Sequence, residues 1–270
     1  MHSGSDPSGQ TPVLIPEAVQ QLALHPFRDL PVPKNVERIE LDGAALSLNP
    51  YPGAQVAFPR RSDADVGRLV EETRALARER GKQTIGWWIA PDHDAWVPAL
   101  EELGIDNVDT PGFEAVENAM ALVTAPAEKP VEGVEVRELE TLDEFKAVSA
   151  VVVECFGFPP LSEEELRARY EEHVADRDVG RSFLAIVDGR IVGSAYTALG
   201  AVGLNLFGAA VLPEARGRGV YRALLQARWA FAVARGTPAL TVQAGRMSLP
   251  VCERLGFQLV GRARVFVDTL

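Results

Sequence analysis

Between Val211 and Tyr221 the chain reads Val-Leu-Pro-Glu-Ala-Arg-Gly-Arg-Gly-Val-Tyr, and no other segment constrains the fold as tightly. It joins an apolar run, Leu204–Leu212, to a helical pattern from Val220 to Arg235. A strand, a turn with two glycines and two arginines, and then a helix make a cradle for phosphate. Gly217 and Gly219 let the backbone come close to an anion. The unfilled N–H groups of the first helical turn point at it, and the helix dipole favours its charge. Arg216 and Arg218 add charge-assisted hydrogen bonds. Two common phosphate loops are excluded. The Gly-x-x-x-x-Gly-Lys-Ser/Thr run of a P-loop occurs nowhere, and Gly217-x-Gly219 lacks the third glycine of a dinucleotide fingerprint.

The segment resembles the Arg-x-x-Gly-x-Gly/Ala loop of the GNAT acetyltransferase superfamily, read on Arg216, Gly219 and Tyr221, with Tyr221 where Gly or Ala is usual. That family grips the pyrophosphate of acetyl-CoA with this loop. The resemblance implies acetyl-CoA as co-substrate, held by Arg216, Gly217, Arg218, Gly219, Val220, Tyr221 and Arg222. The pantetheine arm would run along the backbone of Ala210, Val211 and Leu212.

The order of elements from 133 to 270 follows the same family. Val134–Leu139 reads as a strand, and Thr141–Phe156 and Ser162–Ala175 as helices, the second with a Ser162/Glu165 capping box. Ser182–Val187 and Ile191–Ala198 read as a hairpin around Asp188-Gly189. After the helix ending at Gly236 come a strand at Ala239–Ala244, a helix at Ser248–Leu255, and two closing strands, Phe257–Gly261 and Arg264–Val267. Leu255-Gly256-Phe257 resembles the Leu-Gly-Phe that ends the helix beside the cofactor thiol.

An internal repeat accompanies this pattern. Pro59 and Val66 recur as Pro213 and Val220, 154 residues on, and Leu103-Gly104-Ile105 recurs as Leu255-Gly256-Phe257 at an offset of 152. Helix Asp63–Arg80 and strand Thr84–Ala90 fall between them, followed by a helix at Asp94–Leu103. The first copy carries Ser62-Asp63-Ala64-Asp65 where the second has Arg216-Gly217-Arg218-Gly219. Carboxylates at a helix start cap it and repel pyrophosphate, so the first copy is expected not to bind CoA. Trp87, Trp88 and Trp96 are read either as lining an acceptor cleft or as packing residues. Asp92-His93-Asp94 resembles a catalytic or metal cluster only superficially, and is read instead as a capped strand-to-helix turn, with Asp94 as the cap.

The expected fold class is therefore α/β (α+β), with two GNAT-like domains, each a mixed, largely antiparallel sheet flanked by helices. Residues 1–20 are expected to be disordered. Residues 21–124 form the degenerate copy, 125–132 a Pro- and Ala-containing linker, and 133–270 the acetyltransferase domain. With 47% hydrophobic and 24% charged residues in 270, both cores can be built. No apolar run reaches membrane-spanning length. Cys155 and Cys252 provide no disulfide framework, which fits a cytoplasmic protein. The four histidines show no metal-ligand spacing, so no metal is expected. The net charge of −11, of which −9 falls in residues 1–125, argues against nucleic acid as a partner and would draw a cationic acceptor.

Acyl transfer to an amine needs a base, a hold on the oxyanion and a proton for the leaving thiolate. Many relatives carry a Glu base on the fourth strand, whereas Leu204–Val211 has no acid. Asn205 there is read as a holder of water, and Glu163, Glu164 and Glu165 as a base or as an acidic helix start. A base is also dispensable if water deprotonates the amine. The usual proton-donating Tyr aligns with Cys252, and the preceding Asn with Gly245. Cys252 and Ser248 are the candidate catalytic residues, with packing the other reading of Cys252. The function implied is acetyl-CoA-dependent N-acetylation of a primary amine on a small molecule, by direct transfer in a ternary complex, in a monomer or homodimer with no membrane partner. Two alternatives stand beside it: a catalytically silent acyl-CoA sensor or partner-binding protein, and a protein or peptide N-acetyltransferase.

Overall fold

A computed structural model of the chain describes residues 13–51, 55–109, 114–127 and 131–270. Residues 1–12 lie outside the described residues. Residues 17–20, expected to be disordered, instead begin helix α1 (Glu17–Leu24), whose Val19, Leu22 and Ala23 are buried, and α2 (Pro26–Asp29) follows it. The first half continues with strands β1 (Glu37–Glu40), β2 (Ala44–Leu48) and β3 (Gln55–Pro59), helix α3 (Val66–Glu79), strand β4 (Thr84–Ile89), helix α4 (Val97–Glu102) and strand β5 (Val116–Leu122). The second half has β6 (Glu135–Glu138), α5 (Leu142–Phe156), α6 (Glu163–Ala175), β7 (Gly180–Val187), β8 (Arg190–Leu199), β9 (Leu204–Val211), α7 (Val220–Ala234), β10 (Leu240–Ala244), α8 (Leu249–Arg254) and β11 (Gln258–Thr269).

Local chemistry explains the boundaries. Thr141 and Ser162 close full capping boxes with Glu144 and Glu165 at the starts of α5 and α6. Asp188 and Gly189 both take positive φ, the backbone that a tight hairpin between β7 and β8 requires. Asp65 caps α3 by accepting from the Arg68 amide at 3.0 Å, so an acid occupies the helix start in the first half. Asp94 does not cap. It lies inside a 3-10 turn, Pro91–Trp96, and pairs with Arg264 at 2.8 Å.

All eleven strands form one mixed, largely antiparallel sheet in the order β1-β2-β3-β4-β11-β5-β10-β9-β8-β7-β6. Each half is an antiparallel meander followed by a helix and a parallel strand: β3 with β4 across α3, β9 with β10 across α7. The last strand of each half then pairs with the other half. β5 lies against β10, β11 lies against β4, and β5 and β11 pair with each other. The two closing strands expected at 257–267 are one strand of 12 residues, interrupted only by a register shift between Leu259 and Gly261. Its first part pairs with β5 and its last with β4, so it must run unbroken through the seam.

The cores follow this exchange. Phe266 of β11 is fully buried in the first core with Trp87, Trp96, Leu69 and Ile85, while Met120 and Leu122 of β5 lie in the second core with Leu206, Leu225 and Phe257. Asp268, 3% exposed, takes a two-pronged contact from Arg74 of α3 at 2.9 and 3.0 Å. Trp87 and Trp96 are fully buried, and Trp88 packs on Phe27, so the tryptophans are packing residues. Among the described residues no helix is long and apolar enough to cross a membrane. Truncating Phe266 to Ala should cost about 3–5 kcal/mol. Because β11 serves both cores, urea should unfold wild type and variant in a single transition each, followed by tryptophan fluorescence and circular dichroism together. Two separated transitions in the wild type would show that the exchange does not couple the halves.

Candidate functional site

The turn from β9 to α7 builds the anion cradle. Gly217 and Gly219 have φ of 77° and 84°, and Gly219 is the N-cap of α7 with no side-chain cap in place. A side chain at 219 would be strained by that φ and would meet Val131 at 2.8 Å. The first intrahelical bond runs from the Ala223 amide to the Gly219 carbonyl, 3.0 Å, which leaves the amides of Val220, Tyr221 and Arg222 ahead of it without a helical acceptor. A cavity of about 850 Å³ opens over them. Val211 and all of residues 216–222 line it, together with Val131, Glu132 and, from the α8 side, Val251, Arg254 and Leu255. Arg216 reaches back to the Val211 carbonyl at 3.2 Å, and Arg218 is only loosely paired with Asp188 at 3.6 Å. Ala210 and Leu212 do not line the cavity. Both are 2% exposed in the core beneath it, and the Leu212 amide is bonded to Val192.

Beside the cradle the sheet opens. β9 and β10 pair only from Leu204 to Leu206 and from Leu240 to Val242. Gly208, at φ 52°, turns β9 away, and Gln243 and Ala244 pair with β5 instead. Asn205 sits at the closed end of this fork, fully buried, with its oxygen accepting from Thr241 and its amide donating to Gln243. It is part of a hydrogen-bonded network with these two side chains.

Among the expected catalytic groups, Cys252 is fully buried in the second core, and burial pushes its thiol up. It is a packing residue. Ser248 ends up at the N-cap of α8, with its hydroxyl donating to the Gly245 carbonyl. Glu163 is engaged with Lys146 and Glu165 with Ser162, and these contacts hold both carboxyls below their usual range. Three further features stand out: the side chain of Tyr221, read from the sequence only as part of the phosphate loop, and two groups that sequence spacing passed over. Tyr221 extends from the first turn of α7 to Cys252, and its phenol is pushed up to about 12, first by burial and then by that thiol. Thus the two positions that depart from the family pattern, 221 and 252, meet in space. Arg228, one face along α7, is fully buried, lies 6.0 Å from the Tyr221 ring, and has both Nη atoms without a hydrogen-bond partner. The third is Glu117 of β5. Its neighbour Asn118 pairs with Ala244, and Glu114 of the same segment lies over Gly245 and accepts from the Arg246 amide at 2.8 Å. Burial, reinforced by the charge of Glu114, pushes the Glu117 carboxyl up to about 7 against a bond from the Glu114 amide.

The whole chain has a tandem GNAT fold. It is similar to a GCN5-related N-acetyltransferase from Kribbella flavida, with a TM-score of 0.66 and 16% identity over 93% of this chain and 95% of that one. A second such protein, from Sphaerobacter thermophilus, gives 0.62 and 19% over 86% and 82%. A tandem GNAT protein from the clavulanic acid biosynthesis pathway gives 0.60 and 17% over 94% and 88%. Residues 145–257 match the acetyltransferase (GNAT) family model. No curated protein matches the chain.

Because the folded pKa of Glu117 lies above the ordinary carboxyl value of 4.5, the folded chain binds more protons between about pH 4.5 and 7. Stability from this group is therefore highest below that window and lost as pH rises through it. Glu117→Gln should leave stability nearly unchanged at pH 5 and raise it by roughly 1–3 kcal/mol at pH 8. Urea unfolding at the two pH values checks this, and an equal effect at both would contradict it.

Proposed function

We propose that the chain is an acetyl-CoA-dependent N-acetyltransferase acting on a primary amine. The observation that carries this reading is the uncapped start of α7, where three free amides and the glycine turn face a cavity large enough for the pyrophosphate arm of CoA. Its place beside the fork of β9 and β10 gives the arm a route to the sheet. The first half, with Asp65 capping α3, supplies no such cradle and acts through what it adds to the second.

In this reading the acetyl group passes directly from the thioester to the amine. The amine nitrogen bonds to the carbonyl carbon, and the carbon–sulfur bond then breaks. Tyr221, protonated at all physiological pH, gives its proton to the leaving thiolate, and the buried charge of Arg228 favours that thiolate. Glu117, poised near neutrality, takes the proton of the amine. The acidic surplus of residues 1–125 favours a cationic small molecule as acceptor.

Calorimetry with acetyl-CoA should show micromolar binding by the wild type. Arg216→Ala should weaken it at least tenfold, a loss of about 1.4 kcal/mol, and Gly219→Asp should abolish it. No binding by the wild type would end the reading. Binding without turnover across an amine panel would favour an acyl-CoA sensor instead. Where turnover is found, Tyr221→Phe should lower kcat roughly 10²-fold with little change in the KM for acetyl-CoA. Glu117→Gln should remove the acidic limb of the pH–rate profile near 7. Unchanged kcat in Tyr221→Phe would return the proton donor to water or another group.

A further inference from the structure

Three ligand-type side chains outside the phosphate cavity come together at the end of α1. His25 closes α1 and opens α2, and Asp92 and His93 lie in the 3-10 turn after β4. His25 Nε2 is 2.9 Å from Asp92 Oδ2, His93 Nδ1 is 3.0 Å from Asp92 Oδ1, and the three ligand atoms all lie within 4.8 Å of one another. The rings stand edge to face, 5.6 Å apart. Both histidines are buried, at 4% and 7% exposure, whereas the Asp92 side chain is 49% exposed. The cluster is closed towards the protein and open on one side to water.

The two imidazoles are not equivalent. His25 and Asp92 share a hydrogen bond. The His93 contact is as short but badly aligned, so Nδ1 of His93 is buried with no hydrogen-bond partner. Buried polar atoms are rarely left in that state, because the lost hydration is not replaced. We propose that His25 Nε2, His93 Nδ1 and an Asp92 oxygen bind a first-row divalent cation of the zinc type.

The spacing suits such an ion. A tetrahedral zinc with bonds of about 2.0–2.1 Å sets neighbouring ligand atoms roughly 3.3 Å apart, close to the two separations at Asp92. Two neutral nitrogens and one carboxylate select zinc, cobalt or nickel over magnesium or calcium, which take oxygen. Arg28 is the opposing charge nearby, but its guanidinium is turned to Asp29 and Gln21. Water on the exposed side of Asp92 completes the coordination. The ion would fasten a corner that two side chains already hold, since Trp88 donates to the Leu24 carbonyl and Gln243 to that of Ala23. Helix α1 packs on β5, β10 and β11, so this clasp lies against the strand exchange.

The test is titration of the chelator-stripped full chain with zinc, by calorimetry and thermal melting, and with cobalt by visible absorption. The expected result is one ion bound at micromolar affinity or tighter, a raised Tm, and a tetrahedral cobalt spectrum, with no response to magnesium. His93→Gln and Asp92→Asn should each weaken uptake at least tenfold, while His2→Ala and His173→Ala leave it unchanged. If His93→Gln fails to fold by circular dichroism, Asp92→Asn, on the exposed ligand, decides alone. No uptake by the wild type, uptake unchanged in Asp92→Asn, or uptake lost in His2→Ala would overturn the proposal. None of these readouts depends on acetyl-CoA.

Discussion

The backbone ladder through β4, β11, β5 and β10 is the constraint on which the remaining structure rests. Each half builds its own meander, helix and parallel strand, and then lacks a strand that only the other half can provide. Phe266 and Asp268 carry β11 into the first core, and Met120 and Leu122 carry β5 into the second. A strand edge left open at β4 or β10 would expose unpaired N–H and C=O groups, so the exchange closes both edges at once. It also explains why β11 is a single long strand, since it must pair with β5 and β4 in turn.

The same ladder shapes the candidate site. Because β5 takes the far side of β10, Glu114, just ahead of β5, reaches the loop after β10. A half that has Asp65 at its helix start thus still places an ionisable group, Glu114, against a loop of the other half. On the other flank, α7 begins at the glycine turn and carries the Tyr221–Arg228 face, so one helix sets both the uncapped amides and the groups around Cys252.

What could be read in advance was whatever is decided by neighbours in sequence. The capping boxes at Thr141 and Ser162, the Asp188-Gly189 turn and the glycine turn before α7 are local chemistry, and each is found where its residues stand. Strands β1, β2, β3 and β5 escaped: β1 to β3 have only four or five residues each, and the run Val-Glu-Asn-Ala-Met-Ala-Leu of β5 is buried on both faces and lacks alternation. The partner of β11 could not be read because strand pairing is settled by tertiary packing. His25 stands 67 residues from Asp92, so ligand spacing along the chain could not reveal their meeting. Tyr221 and Cys252 did carry a signal, a gain and a loss of the same phenol at two aligned positions, but it is legible only when both departures are taken together.

The exchange also has a consequence in time. Strand β4 is synthesised about 175 residues before the part of β11 that pairs with it, an interval of roughly 10–35 s at ordinary ribosomal speed. Throughout that interval the residues of α3 and the buried tryptophans have been made, while Phe266, which shares their core, has not. The ladder between β4 and β11 therefore cannot form before residues 264–269 are made, so translation sets the earliest time at which this edge of β4 is paired.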